Sequence, residues 1–365
     1  MMRSKSILVV VGVLFVCSGG ARAVTIDLAT VGNLGNADDT TGYGGVSYVY
    51  QIGTYEVTAG QYTEFLNAVA DTDTYGLYWT EMWSIERSGL SGSYVYSVDP
   101  NWINRPVHEV SWGDAARFAN WMHNGQPNGL QGLTTTEDGS YYLNGATGKN
   151  ELNAVIRKAD ATWVLPTQDE WYKAAYHKND GVTGNYFYYP TGSDSVPSND
   201  LIDPDPGNNA TFYDGVQPDP AGYTIGSPYY FTVVGAHENS QSPYGAFDMG
   251  GNVKEWLESR YSTGRAFRSG SYTSPSSDLS SSYVVSRLPY VQGNDVGFRV
   301  AFVPQPCYYV VAGDLNDDCR VELRDFAQLA SDWQISYDIN DLAEMAANWL
   351  IDCDVTPGDP ACVPK

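Results

Sequence analysis

The chain's 365 residues are 42% hydrophobic, enough for one large domain with a real core and a small one beside it. Against 20 basic side chains stand 43 acidic ones, and a formal net charge of −23 excludes nucleic acid as a partner, since phosphate neutralisation needs clustered Lys and Arg. Cation binding is the natural use of so many carboxylates.

In chain order, charges at Arg3 and Lys5 precede an apolar run from Ile7 to Val16 and a small-residue site at Ala21-Arg22-Ala23. That is the layout of a cleaved secretory signal over residues 1–23, with the mature chain starting near Val24. The run is short for a bilayer span and stops at Ser18-Gly19-Gly20. Lipidation at Cys17 is disfavoured by Val16, where a small residue would be expected. No other stretch could cross a membrane. The mature protein is therefore expected to be secreted, or held at the cell surface or in the periplasm.

Helix starts are predicted where a hydroxyl residue is followed three positions later by one that returns the capping bond: Thr58 with Gln61, Ser111 with Asp114, and Thr167 with Glu170. After the first, Tyr62, Phe65, Leu66 and Val69 fall at helical spacing; after the second, Ala115, Phe118, Ala119 and Met122 do. Tyr48 to Ile52 and Tyr229 to Val234 read as short extended segments between Gly, Asn, Asp and Pro clusters. Residues 130–153 and 191–226 read as long surface loops that need something to tie them down. The large domain is thus expected to be mixed α+β and loop-rich, its many Tyr and Trp rings serving as core. Pro304-Gln305-Pro306 marks its end, leaving 24–303 as the large domain and 304–365 as an acidic module.

Several segments carry a family signature in order. They are Gly53-Thr54-Tyr55-Glu56-Val57-Thr58; Arg105-Pro106-Val107 leading to Val110-Ser111-Trp112-Gly113-Asp114-Ala115; Leu165-Pro166-Thr167-Gln168-Asp169-Glu170-Trp171; Tyr244-Gly245-Ala246-Phe247-Asp248-Met249; Gly251-Asn252-Val253-Lys254-Glu255-Trp256; Arg268-Ser269-Gly270-Ser271-Tyr272; and Gly297-Phe298-Arg299-Val300. From about Val46 to Val303 the chain resembles the formylglycine-generating enzyme (sulfatase-modifying factor) family, whose fold elaborates the C-type-lectin-like one. The resemblance implies a calcium site with ligands at Asp248, Glu255 and the carbonyls of Gly251 and Val253, which are the hard oxygen donors that this ion takes. A second family calcium site would use an Asn near Asn209, where the surrounding loop has diverged.

Active members bind copper(I) through two cysteines a few residues apart after the Gly-Ser-Tyr segment. Here Ser274 and Leu279 stand at about those positions, and no hydroxyl replaces a thiolate on so soft an ion. Copper is not expected, and the oxidase chemistry should be lost. Arg287, ahead of Leu288-Pro289, resembles the family's Arg in this region. The histidines at 108, 123, 177 and 237 show no metal-binding spacing, and there is no nucleophile elbow, P-loop or dinucleotide glycine pattern.

Beyond residue 303, twelve acidic residues face three basic ones. Asp314, Asn316, Asp318, Glu322 and Asp325 stand at loop positions one, three, five, nine and twelve, an EF-hand-like calcium spacing, with Arg320 between them. Phe326, Leu329, Ala330 and Trp333 follow at helical spacing. Asp338 to Asp341, then Leu342, Met345, Ala346, Trp349 and Leu350, echo that helix without a full loop. With Cys319 at the usual Gly position and Asp325 closing the loop, the stretch resembles a dockerin type I repeat, a small α-helical module. The resemblance implies one calcium ion and a cohesin-like partner. Cys307, Cys319, Cys353 and Cys362 are the disulfide candidates, with three connectivities open.

These readings combine into an exported calcium-binding protein with a noncatalytic, lectin-like scaffold that recognises an extracellular protein or glycan. The alternative is a divergent formylglycine-generating oxidase, or a related oxidative enzyme, acting on protein cysteine at the same cleft.

Overall fold

The computed structural model describes residues 23–215, 222–305, 309–315, 319–321, 323–331, 337–353, 356 and 358–365. The signal-like segment up to Arg22 lies outside them. In chain order the elements begin β1 (Leu28–Val31), β2 (Tyr50–Gly53), α1 (Ala59–Val69), β3 (Ile85–Ser88), β4 (Val95–Val98), α2 (Trp112–His123), α3 (Lys149–Ala154), β5 (Trp163–Val164) and α4 (Gln168–Tyr176). They continue with β6 (Lys254–Tyr261), β7 (Gly264–Arg268), β8 (Val285–Arg287), β9 (Val296–Gly297), β10 (Ala301–Phe302), β11 (Tyr309–Val310), α5 (Leu323–Ser331), α6 (Ile339–Ala347) and β12 (Val363–Pro364).

The three helix starts form where the sequence places them. Thr58, Ser111 and Thr167 each accept a hydrogen bond from the N3 amide, and Gln61, Asp114 and Glu170 reach back to the N-cap amide. Each such cap contributes about 1 kcal/mol. The buried stripes of α1 and α2 meet through aromatic rings: Phe65 lies 5.3 Å from Phe118 and 5.2 Å from Trp121, and Phe118 lies 5.4 Å from Phe298. The core is therefore assembled from helix faces and a C-terminal segment far away in sequence.

Burial has an electrostatic consequence at the α2 cap. Removal from water pushes the Asp114 carboxyl up to about 7, against the opposing hydrogen bonds from Ser111. Since that exceeds the ordinary value of 3.8, the unfolded chain releases this proton first, and stability falls as pH rises from about 4 to about 7. Asp114→Asn keeps an acceptor for the Ser111 amide without the charge. We expect urea midpoints to show the variant more stable than the parent near pH 8 and no different near pH 4; a gain independent of pH would point to another cause.

Two small sheets frame the core. One has the order β1-β2-β10-β5, all antiparallel, so that Ala301 sits between Ile52 and Val164. The other has the order β8-β7-β6-β9, with β9 parallel to β6. The chain turns tightly from Tyr261 to Gly264, with Ser262 at φ 54. Ends distant in sequence are thus joined, and the residues following β7 and preceding β9 are brought to the N-terminal end of β6.

Three expectations need correction. Tyr229 to Val234 is a turn and not a strand: Tyr230 has φ 60, Phe231 N donates to the Tyr229 carbonyl, and Phe231 is drawn into an aromatic cluster. Residues 130–153 are not a surface loop. Thr136, Glu137, Ser140 and Tyr141 are buried there, because Glu137 forms a two-pronged ion pair with buried Arg117 (2.6 and 2.9 Å), and α3 closes the segment. In the tail, Phe326 is 44% exposed rather than packed, and Trp349 and Leu350 lie past the end of α6, with Leu350 at φ 68. Trp333 lies outside the described residues.

The described tail has an apolar cluster of its own, in which Val311, Cys319, Val321, Leu329, Met345, Cys353 and Cys362 are buried. The β11–β12 pair holds its two ends together, and a disulfide joins Cys353 to Cys362. Cys319 is also disulfide-bonded; Cys307 lies outside the described residues.

Candidate functional site

The segment after β7 is turned by Ser269 (φ 87) and Gly270 (φ 68) and laid back along the N-terminal end of β6. Tyr272 N donates to the Asn252 carbonyl and Tyr213 N to that of Ser274, both at 2.9 Å. Ser274 Oγ then lies 3.3 Å from Ser271 Oγ, which is 3.0 Å from Thr273 Oγ1 and 3.3 Å from the Lys254 ammonium. Lys254 forms an ion pair with Asp295, whose Oδ2 also accepts from Ser271 and Thr273 at 3.4 Å each. Leu279 goes elsewhere: it is fully buried with Tyr189, Ala210 and Phe212, its carbonyl accepting from Tyr176. Arg287 sits on β8 and donates to the Gln292 carbonyl.

The structure thus puts Ser274 in a hydroxyl and ammonium network and Leu279 in an apolar one. Hydroxyls and carboxylates are hard ligands, and a protonated amine within contact of them repels a metal cation. These residues do not fit copper(I). Lys254 and Asp295 were not singled out in the sequence; they are 41 positions apart, and only the β6–β9 pairing makes them neighbours.

Beside this network lies a group of rings. Trp102, Phe231 and Tyr272 are buried around Val253, with Phe231 4.7 Å from Tyr272. Tyr230, Tyr223 and Tyr229 extend the group outwards, Arg105 lies over Tyr229 at 4.2 Å, and Trp83, 45% exposed, stacks on Phe231. His108 is buried between Trp83, Trp102 and Phe231 with neither ring nitrogen hydrogen-bonded. Burial pushes it down to about 3, so it is neutral and acts as one more ring.

On the other side of the Gly251-Asn252-Val253 turn, acidic groups collect around one guanidinium. Arg299 Nη1 donates to the Gly53 carbonyl and Nη2 to that of Phe247, and the fork holds both oxygens of Glu255 at 2.6 Å. Trp171 Nε1 adds a third bond to Glu255 at 2.7 Å. Asp248, at φ 55, accepts from Gly235 N, and burial pushes its carboxyl up to about 6. Gly251 has φ 90 and its carbonyl accepts from Ser269 Oγ at 3.0 Å; the Val253 side chain is turned into the aromatic cluster. Asp248 thus feels the charges of Arg299 and Glu255, with Gly251 and Val253 in the turn between the two acids.

A residue quoted in the sequence only as part of a motif joins them. Glu56 is 1% exposed, neither of its oxygens has a hydrogen-bond partner, and the charges it feels are those of Asp248, Arg299 and Glu255. Burial first, and Asp248 second, raise its carboxyl well above the usual range. The available signal was an acid between β2 and α1 flanked by Tyr55 and Val57.

A cavity of about 10 Å³, room for roughly one water molecule, touches Asp248 and is lined also by Asn209, His237 and Ser240. The Asn209 amide nitrogen donates to Asp205. Asp205 also accepts from Gly207 N, Asn239 N and Ser240 Oγ at 2.7–2.9 Å. Burial raises this carboxyl, but these bonds, led by that from Ser240, hold it below the usual range. Protein donors tie down the loop around Asn209.

In the tail, Asp314 Oδ2 accepts from Cys319 N and Asp325 Oδ1 from Leu315 N, both at 2.8 Å, so both carboxylates serve one loop. Arg320 instead pairs with Asp352 at 3.0 Å. Asn316, Asp318 and Glu322 lie outside the described residues. Among the described residues no three or more His, Cys, Asp and Glu side chains stand around a common point as a metal group.

Among solved structures the chain is similar to CarF, at 20% identity over 76% of this chain and 98% of that one, with a TM-score of 0.42. It is similar to Treponema denticola variable protein 1 at 18% identity, covering 78% and 98% of the two chains, with a TM-score of 0.46. PvdO from Pseudomonas aeruginosa gives 16% identity, 75% and 91% coverage and a TM-score of 0.39. At such identities the likeness concerns the fold alone. No curated protein matches the chain. Residues 44–303, well over half of the sequence, match the sulfatase-modifying factor enzyme 1-like domain, and the chain belongs to that family.

Proposed function

We propose that the protein is an exported, calcium-stabilised recognition protein in which the copper-dependent oxidase chemistry of the formylglycine-generating enzymes has been lost. The observation that carries this reading is the Lys254–Asp295 ion pair and its hydroxyl network with Ser271, Thr273 and Ser274, at about the position of one family cysteine. Leu279, at the other, offers no ligand. Neighbouring rings of Trp83, Tyr229 and Tyr230 provide stacking surfaces of the kind that bind sugar faces, which favours a glycan over a protein ligand. Calcium is assigned to Asp248, Glu255 and the carbonyls of Gly251 and Val253. The Asp248 and Glu255 carboxylates and the two carbonyls supply the hard oxygens that such an ion takes.

The tail is read as a dockerin-like attachment module with one calcium ion. The joint use of Asp314 and Asp325 by one loop supports this, as does the helix that follows. Its partner would be cohesin-like. The Cys353–Cys362 disulfide, the disulfide-bonded Cys319 and the signal-like N-terminal sequence support export.

The test is metal analysis of the secreted protein before and after copper(I) loading, with oxygen uptake measured on a cysteine-containing peptide. Calcium without copper, no uptake and retention on a glycan array are expected. Stoichiometric copper with turnover would overturn the reading in favour of the oxidase.

A further inference from the structure

One corner of this acidic protein is basic. A cleft of about 370 Å³ lies between α3 and the tight turn joining β6 to β7, lined by Lys149, Asn150, Asn153, Arg260, Ser262 and Thr263 and by no acidic side chain. That volume lies in the range of small-ligand sites. With 43 acids for 20 Lys and Arg in the chain, a basic group should find a partner easily, yet Lys149 and Arg260 form no ion pair among the described residues.

The acids nearest in sequence are committed elsewhere. Glu151 caps α3 by accepting from the Thr147 and Gly148 amides at 3.3 and 3.1 Å, and Glu258 is bonded to Arg157 at 2.6 Å and to Tyr141 at 2.7 Å. Arg265, opposite Arg260 in the β6–β7 pairing, adds a buried positive charge. It is held by the Leu152 and Val155 carbonyls at 2.6 Å each and lies over Trp112, its Nε has no partner, and it feels Arg260 as a like charge. The corner therefore lacks an anion.

It also lacks a hydrogen-bond donor. Asn153, on the cleft wall, is 9% exposed; its Nδ2 donates to the Thr263 carbonyl at 3.1 Å, while its Oδ1 is buried without a partner. A buried carboxamide oxygen left so is costly. Inorganic sulfate would bring the anion alone and an uncharged sugar the donors alone. A sugar that carries a carboxylate or sulfate group brings both.

We propose that this cleft binds an anionic sugar, a uronate or a sugar sulfate within a glycan, with Lys149 and Arg260 on the charged group and the Asn153 carboxamide, Ser262 and Thr263 on its hydroxyls. The guanidinium fork of Arg260 matches a pair of oxygens on such a group, and Lys149 adds a point charge. Arg260 stands near the far end of β6 from Lys254, roughly 20 Å along the strand. The cleft is thus separate from the aromatic group beside Lys254, and the inference does not rest on the reading of that group.

The experiment titrates the full chain by calorimetry with oligogalacturonate, with a sulfated galactan fragment of like length and with the uncharged galactan fragment. At least one charged oligomer should bind at least tenfold more tightly than the uncharged one, and several-fold more weakly when salt rises from about 50 to about 300 mM. The tighter of the two tells a carboxylate ligand from a sulfate. Arg260→Gln and Lys149→Gln, both at exposed positions, should each weaken binding about threefold to tenfold at unchanged melting temperature, and together abolish it. Trp83→Ala removes an exposed ring of the aromatic group and should leave this binding as it was, so that failure of one site is told from failure of the other. The proposal is overturned if neither charged oligomer binds, if the double variant binds like the parent, or if inorganic sulfate binds as tightly as the oligomers, which would make the cleft a bare anion site.

Discussion

Replacing Arg299 with methionine is expected to cost the large domain roughly 3–5 kcal/mol, enough to leave much of it unfolded at moderate temperature. The side chain is wholly buried and ends in four hydrogen bonds: two to Glu255, one to the Gly53 carbonyl and one to that of Phe247. Removal leaves Glu255 charged in the interior beside Asp248 and Glu56, and strands two carbonyls. The penalty is that of an uncompensated charge, and it should shrink when the charge goes too. Arg299→Met combined with Glu255→Gln should recover on the order of 1 kcal/mol or more relative to Arg299→Met alone, since Gln can still accept from Trp171. Urea unfolding of the parent, both single variants and the double variant measures this cycle. Strict additivity would mean that the two side chains do not act as a pair.

The second large effect is expected at Gly251. Its φ of 90 lies where side chains are rarely tolerated, and a Cβ there would overlap the Thr211 carbonyl, which the neighbouring Asn252 amide already uses. Thr211 cannot withdraw cheaply, because its hydroxyl is bonded to Thr232 and His237. Gly251→Ala should lose roughly 2–4 kcal/mol, combining backbone strain with overpacking. Gly245 separates the two causes: its φ is 84, but a Cβ there meets nothing within 4 Å. Gly245→Ala should therefore lose only about 1–2 kcal/mol, the conformational part. Equal losses in thermal or urea unfolding would show that crowding against Thr211 does not matter.

Much of the local structure was legible because it is written within one turn of chain. Thr58, Ser111 and Thr167 cap helices through contacts three residues away, and the apolar spacing after Thr58 and Ser111 names the faces that α1 and α2 bury. The misread stretches are those whose conformation is decided at long range. Residues 130–153 look like a loop until Arg117, on α2, draws Glu137 inside. Tyr229 to Val234 look like a strand until Phe231 finds Trp102 and Tyr272.

The same division holds for the candidate site. Composition determined that the protein is acidic, and residue identity determined that thiols are missing at Ser274 and Leu279. Those are properties of side-chain chemistry, which does not depend on folding. Only the tertiary structure decided what stands in their place: Lys254 beside Ser271 and Asp295 through the β6–β9 pairing, and Leu279 in a separate apolar cluster. Only it could single out Glu56. An acid in a motif is unremarkable in a list of residues; burial with both oxygens unpartnered, beside a guanidinium committed to Glu255, sets it apart.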